Sequence, residues 1–273
     1  MKDIWAHQKF YCKKMVKVLN INLYDLGLRN AVQQVITQSQ TKEKLNLCVS
    51  ATGAHGLIVA YNDENFKKVL DYFFINLPDG MPGVWVGRLK GAENMSRCYG
   101  PDFFRDIMIE SSKKNIKHFF CGGKEGVAEQ LKIECARKFR NNNVVGTFSP
   151  PFREMSDKEL NILAQTINNL DVDIVWIGLS TPKQESFAYR LSKFTNVHFI
   201  CTVGAAFDFH TGNVTQSPKF LQNIGMEWFF RLLMEPKRLY KRYFEIVPKF
   251  IYYNLIELLQ YYLSKMNRRI KNV

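Results

Sequence analysis

Short apolar runs that end in small-residue turns constrain this chain more than any other feature. Residues 45–50, 116–121, 144–148, 172–178 and 196–203 have the length and apolar character of buried strands, and each ends at or runs into Gly, Ala or Ser. Between and before them lie helical patterns, near 26–40, 84–90, 103–112, 126–140 and 157–168, the last opened by Ser156 as a cap. Strands alternating with helices at this spacing predict βα units. The expected fold is α/β: a Rossmann-like, mostly parallel sheet with flanking helices and a C-terminal basic helical appendage. Ligands of such sheets sit beyond the carboxyl ends of the strands. The turns at 51–56, 121–126, 148–152, 178–185 and 204–208 should then share one edge and form one site.

With 273 residues, 46% of them hydrophobic, the chain has enough material for one α/β domain with an appendage. We divide it at 225: residues 1–225 as the Rossmann-like domain and 226–273 as the appendage. No uninterrupted apolar run is long enough to span a bilayer. The start, Met1-Lys2-Asp3-Ile4-Trp5 onward, lacks the apolar core of a signal peptide, so the expected location is cytoplasmic. Six scattered cysteines without a CxxC pair argue against a disulfide framework and against a metal site.

Asp79 stands in the turn Asn76-Leu77-Pro78-Asp79-Gly80-Met81-Pro82, just after the apolar run Phe73-Phe74-Ile75. Pro78 and Pro82 fix the backbone and Gly80 frees it, which presents a carboxylate where a helix begins. Such a residue is either an N-cap or an acid or base at the mouth of a pocket. His55, in the small-residue turn after the first strand, either meets a ligand or satisfies the turn. Gly122-Gly123-Lys124-Glu125-Gly126 joins a strand to a helix, which suits a phosphate or a plain tight turn equally. The pair Asp171-Val172-Asp173 has the form of a metal-binding DxD, but it precedes its strand and so belongs to the opposite sheet edge. A capped, solvated pair is the expectation there.

The net charge of +13 calls for a nucleic acid, an anionic membrane face or a phosphate-bearing substrate. Residues 226–273 carry ten Lys and Arg against four Glu, a net +6. Within 249–266, Asn254, Glu257, Gln260 and Ser264 form a narrow polar stripe at helical spacing. Ile251, Tyr252, Leu255, Ile256, Leu258, Leu259, Tyr262 and Leu263 cover the rest. That pattern fits a helix lying in a membrane interface, or one packed on the domain or on a second subunit. Nucleic acid is the weaker account, because the aromatic residues gather on one face rather than alternating with cations.

These residues also carry a family resemblance. The blocks are Pro78-Asp79-Gly80-Met81-Pro82; Arg97 with Tyr99-Gly100-Pro101-Asp102; Gly122 to Ala128; and Gly178-Leu179-Ser180-Thr181-Pro182-Lys183-Gln184-Glu185. Gly204-Ala205-Ala206-Phe207-Asp208 with Gly212 follows, and then Glu227-Trp228 to Arg231 with Glu235-Pro236-Lys237-Arg238. In this order they resemble the WecG/TagA/CpsF glycosyltransferases (glycosyltransferase family 26) over about residues 45–243. The resemblance implies an inverting, metal-independent enzyme, with no cofactor, that moves a sugar from a UDP-sugar onto a polyprenyl-diphosphate-linked sugar at the cytoplasmic membrane face. It implies Asp79 as general base, with Thr52, His55, Arg97, Gln184 and Asp208 lining the substrate site. Arg231, Arg238 and Lys241 would hold the acceptor diphosphate, and Gly122, Gly123, Gly126, Gly178, Pro182 and Glu185 the nucleotide. Three positions depart from the family pattern: Ala51-Thr52-Gly53 replaces Thr-x-Asn, Gln216-Ser217-Pro218 replaces Arg-Ala-Pro, and Lys241 stands where arginine is common. The expected donor sugar is accordingly N-acetylmannosamine-like, a uronic acid or a hexose. A second reading is a non-catalytic UDP-sugar- or lipid-binding scaffold of a polysaccharide assembly complex, and a homo-oligomer fits either reading.

Overall fold

A hairpin that the sequence pattern does not announce opens the fold. Strands β1 (Met15–Val18) and β2 (Ile21–Tyr24) pair antiparallel, with Val18 opposite Ile21. The turn is made by Leu19 and Asn20, whose φ values are 47° and 65°. Both fall in the left-handed region that tight hairpin turns demand and that Gly or Asn usually supplies. Four-residue strands interrupted by Lys17 and Asn22 give too little periodicity to be read as strands. The computed structural model describes residues 14–271. The segment read for a leader, and Cys12, lie outside the described residues.

From Leu28 strands and helices alternate largely as expected, with a helix at Glu64–Tyr72 and a strand at Ile75–Pro78 that the sequence pattern did not announce. The chain runs α1 (Leu28–Gln38), β3 (Leu47–Thr52), α2 (Ala54–Asn62), α3 (Glu64–Tyr72), β4 (Ile75–Pro78) and α4 (Met81–Leu89). Then come α5 (Gly100–Ser111), β5 (His118–Gly122), α6 (Val127–Phe139), β6 (Val144–Phe148) and α7 (Asp157–Asn169). β7 (Ile174–Gly178), α8 (Lys183–Leu191), β8 (Phe199–Thr202), α9 (Ala206–Thr211) and α10 (Lys219–Asn223) follow. Helix α7 begins with the expected cap: Ser156 and Glu159 form a reciprocal capping box.

The eight strands form one sheet in the order β1-β2-β4-β3-β8-β7-β5-β6. Every pairing beyond the first hairpin is parallel. Both faces are covered, so the central strands are apolar on both sides. In β7, Ile174 and Trp176 join a cluster with Phe103, Phe104 and Phe207, while Val175 and Ile177 join Leu160, Leu163 and Leu191 from α7 and α8. The Rossmann-like expectation holds.

The amino edge of the sheet holds the DxD pair. Lys44 Nζ lies 2.8 Å from Asp171 and 3.3 Å from Asp173. Lys117 Nζ also reaches Asp171, and its backbone N–H donates to Asp173 at 2.8 Å. Those carboxylates are occupied in ion pairs on the edge away from the strand-end turns.

The stretch read as an appendage forms two helices, α11 (Glu227–Met234) and α12 (Pro236–Lys271). The latter is one continuous 36-residue helix rather than a separate segment over 249–266. Pro248 sits inside it and cannot donate to the carbonyl of Phe244. Phe244 is exposed, so water can serve that carbonyl and the helix continues.

The side on which α12 docks is the unexpected feature. Asn254 is buried, and Glu257 accepts from Lys90 Nζ at 2.6 Å and from the Leu19 backbone N–H at 3.0 Å. Ile246 and Phe250 join the cluster of Leu57 and Val84, and Tyr253 stacks on Tyr61 at 4.4 Å. The inner part of the polar stripe, Asn254 and Glu257, thus faces the domain. Ile251, Tyr252, Leu255, Leu259 and Leu263 are left exposed. The helix packs on protein and still presents a wide apolar face outward.

Candidate active site

The turns singled out in the sequence do gather at the carboxyl edge, because parallel register brings the strand ends level: Thr52 pairs with Pro78, Ser50 with Thr202, and Gly122 with Gly178. Asp79 follows directly on β4. Its backbone N–H donates to the Thr52 carbonyl at 3.2 Å, extending the ladder by one residue past the strand. Its side chain does not cap α4, whose first turn receives no side-chain hydrogen bond. It turns instead to the start of α5, where Oδ1 accepts the Gly100 N–H at 2.7 Å.

Glycines make room for this carboxylate. A Cβ at Gly53 would lie 3.7 Å from Asp79 Oδ2, and one at Gly100 would lie 3.5 Å from Oδ1 and 3.1 Å from the Ala51 side chain. In this half-buried niche the charged form is disfavoured. Burial is the main force raising the Asp79 pKa to about 6, against the lowering pull of Arg97 and with a further push from Glu227. A carboxylate tuned near neutrality is a competent general base.

Arg97 clamps the turn from outside. Its Nε donates to the Asp79 carbonyl at 2.6 Å, Nη1 to Gln222 Oε1 at 3.1 Å, and Nη2 forms a short ion pair with Glu227. The guanidinium also lies 3.9 Å over the Tyr99 ring. Tyr99 OH in turn donates to the other Glu227 oxygen at 2.7 Å.

Behind the strand ends lies a second polar network. Thr52 Oγ1 donates to Ser50 Oγ at 3.0 Å. Glu185 Oε1 accepts from Thr181 Oγ1 and from Gln184 Nε2, both at 2.9 Å, and from Ser50 at 3.4 Å. Gln184 Oε1 accepts the Gly204 N–H at 3.0 Å, which ties the β8 turn to the start of α8. Glu185 is buried, which raises its pKa, and its second oxygen has no hydrogen-bond partner among the described residues.

Asp208, on α9, is half-buried and its pKa is raised by burial, opposed by Arg238, Arg231 and Lys124. It therefore lies in the field of cations from both the appendage and the glycine turn. Arg231 Nε is buried without a hydrogen-bond partner among the described residues, whereas Arg238 pairs with Glu235 and Lys241 is exposed. His55, on α2, is lowered to about 4 by burial and by Arg242 of α12, with Glu245 opposing.

The nucleotide candidates sit further along the edge. Gly122 and Gly123 have φ of +146° and +75°, and Gly123 N–H donates to the Gly178 carbonyl at 3.0 Å. A side chain at Gly122 would collide with Gly178, and one at Gly178 with the Phe207 ring. Gly126, also left-handed, opens α6. Pro182, after a cis peptide bond, precedes α8. Beside the glycine turn is a cleft of about 460 Å³ lined by Gly123, Lys124, Thr147, Ser149 and the fully exposed Phe152. Four strand positions separate β5 from β4, about 19 Å at the usual spacing. The glycine turn and Asp79 therefore mark two ends of an elongated site, with Gln184, Glu185 and Asp208 on elements between them.

Sequence reasoning did not single out Ser50, Gln222 or Glu227 as working residues. Glu227 was within reach, since it lies four residues before Arg231 on one helix face. Its partner Arg97 is 130 residues away in the chain, which no local pattern reveals. Among the described residues no group of His, Cys, Asp or Glu is arranged to hold a metal ion.

Two relatives are both named N-acetylglucosaminyldiphosphoundecaprenol N-acetyl-β-D-mannosaminyltransferase. The protein of Bacillus subtilis (strain 168) is 26% identical over 208 residues, 76% of this chain and 78% of the relative. That of Bacillus spizizenii is 28% identical over 235 residues, 85% and 87% of the two chains. The model of the glycosyl transferase WecG/TagA/CpsF family matches residues 16–264, and the chain belongs to that family of glycosyltransferases.

Proposed function

We propose that this glycosyltransferase moves a sugar from a UDP-sugar onto a polyprenyl-diphosphate-linked sugar, with inversion and without a metal ion, in cell-surface polysaccharide synthesis. The observation that carries the reading is Asp79, a carboxylate at about 6 held at the carboxyl edge of the sheet by Gly100. In the reaction Asp79 accepts the proton of the acceptor hydroxyl as that oxygen attacks the anomeric carbon. The bond from that carbon to the UDP oxygen breaks on the opposite face, which inverts the centre. Negative charge grows on the departing diphosphate, and cations and backbone amides must stabilise it there. Gly122, Gly123 and Gly126 offer turn and helix-start backbone near Gly178, Pro182 and Glu185, which suits the nucleotide end. Arg231, whose Nε–H has no partner among the described residues, together with Arg238 and Lys241, suits the acceptor diphosphate, since the guanidinium fork matches phosphate oxygens. The named relatives support an N-acetylmannosamine-like donor and a diphosphate-linked N-acetylglucosamine acceptor.

The outward apolar face of α12 supports work at a membrane surface. No helix among the described residues is long and apolar enough to cross a bilayer. A helix that turns its polar stripe inward and its leucines outward suits lying in the interface, peripheral on the cytoplasmic side. Residues 226–273 then act as the unit that brings both acceptor contacts and membrane contact to the domain. The test is UDP release from a panel of UDP-sugars with a lipid-diphosphate-linked N-acetylglucosamine analogue, with and without chelator. Turnover that persists in chelator is expected. Donor binding without turnover on any member would favour the scaffold reading, and loss of turnover restored by manganese or magnesium would overturn metal independence.

A further inference from the structure

The cation nearest the Asp79 turn is already occupied, and its partner comes from the appendage. Arg97 directs Nε to the Asp79 carbonyl and Nη2 to Glu227, the first residue of α11. Glu227 is fixed at both oxygens, by Arg97 and by Tyr99 OH. The side chains of Arg97 and Glu227 are 14% and 15% exposed, so the pair is largely shielded from competing water. Tyr99 belongs to the same short segment as Gly100, whose N–H holds the Asp79 carboxylate. One carboxylate on α11 therefore braces both the carbonyl side and the side-chain side of the Asp79 turn.

We propose that Glu227 is a positioning residue: it latches the appendage onto the Arg97–Tyr99 segment and so holds Asp79 in its working geometry. Docking of α11 and readiness of the base are then one event. The same helix carries Arg231 one turn further on, on the same face, so the latch also sets that cation beside Asp79. This inference rests on Asp79 being the base.

The electrostatics around Asp79 agree with the latch. The charged and titratable groups facing it are Arg97, Tyr99 and Cys98 from the segment before α5, and Glu227 and Arg231 from α11. Arg97 and Arg231 favour the carboxylate, and Glu227 opposes it. Removing the negative charge at 227 leaves Arg97 uncompensated. Asp79 should then titrate at lower pH and become a weaker base.

The test compares Glu227→Gln and Glu227→Asp in the full-length protein. One readout is the titration of the Asp79 carboxyl by carbon NMR with 13C-labelled aspartate, assigned with Asp79→Asn. The other is the pH profile of transfer. For Glu227→Gln we expect the Asp79 midpoint to fall by about one pH unit, the size of effect a charge at close range exerts. Turnover above that midpoint should fall about 3- to 10-fold, as expected for a weaker and looser base. Glu227→Asp keeps the charge, so its midpoint should stay near wild type while turnover falls because the shorter side chain reaches only one partner. An unchanged midpoint in Glu227→Gln overturns the proposal, as does equal loss in both variants with neither midpoint moved. Should Glu227→Gln not fold, Tyr99→Phe serves: severalfold lower turnover with unchanged donor affinity is expected, and wild-type turnover overturns the latch. Because the NMR titration needs no substrate, a failure of the proposed transfer reaction stays distinct from a failure of the latch.

Discussion

Replacing Asp79 by Asn should make the protein more stable at alkaline pH while abolishing transfer. The ordinary aspartate value is 3.8, and in the folded protein Asp79 is raised to about 6, chiefly by burial. Between those values the folded chain binds more protons than the unfolded one, so stability falls as pH rises through the window and stays low above it. A shift of this size corresponds to roughly 3 kcal/mol at 1.36 kcal/mol per unit. Asp79 as a residue is only half-buried, so water nearby screens it and reduces the cost to about 1–2 kcal/mol. Asn is neutral at every pH and keeps an oxygen for the Gly100 N–H, so it escapes that cost. The expected gain in Tm at pH 8 is about 2–8 °C for a chain of this size, shrinking to nothing below about pH 4. Thermal unfolding of both proteins from pH 4 to 8.5 measures it, beside UDP-release assays of wild type, whose acid limb should fall near pH 6. A variant less stable than wild type at pH 8, or a stability difference that does not change with pH, would refute the claim that burial tunes this carboxylate.

Two further outcomes are expected. Leu255→Glu with Leu259→Glu alters two exposed leucines of α12; binding to anionic liposomes should weaken roughly a hundredfold, from the lost burial of two leucines, with Tm unchanged. Liposome binding equal to wild type would leave that face to a second protein copy, which sedimentation would detect. Gly178→Ala would set a methyl 2.6 Å from the Phe207 ring, with an expected cost of about 1–3 kcal/mol and reduced transfer through movement of the neighbouring Asp208. Denaturant unfolding with wild-type stability would show that the ring yields freely.

Much of the architecture could be read along the chain because buried parallel strands write themselves as apolar runs closed by small residues. The runs at 47–52, 118–122 and 174–178 are such cases, and each strand end delivered a turn to the shared edge. The first hairpin escaped because its turn is Leu19-Asn20, without the glycine that marks most such turns, and its strands have four residues each. The residue types gathered at the edge stood out in the sequence: Asp79 between Pro and Gly read as an N-cap or as an acid or base, and only the family resemblance implied the second. The partners of these residues did not stand out. Arg97 and Glu227, or Gln184 and Gly204, meet only after the sheet is assembled. The orientation of α12 was also hidden, because a polar stripe on a helix ordinarily signals solvent, whereas here Glu257 is consumed by Lys90 and the Leu19 amide.

That last contact bears on how the chain comes to be folded. The Leu19 N–H sits in the tip of the first hairpin, and its acceptor lies 238 residues further on. During synthesis the tip is made early and must wait, unpartnered within the chain, until almost all of the rest has emerged. Only water can satisfy that amide meanwhile, and two four-residue strands are marginal without neighbours. The hairpin edge of the sheet, β1 and β2, should thus be the last part to become protected against hydrogen exchange in refolding, arriving together with the C-terminal helix. Closing so long a loop makes this a slow, late step, and it ties the near-terminal ends of the chain into one unit that opens or closes as a whole.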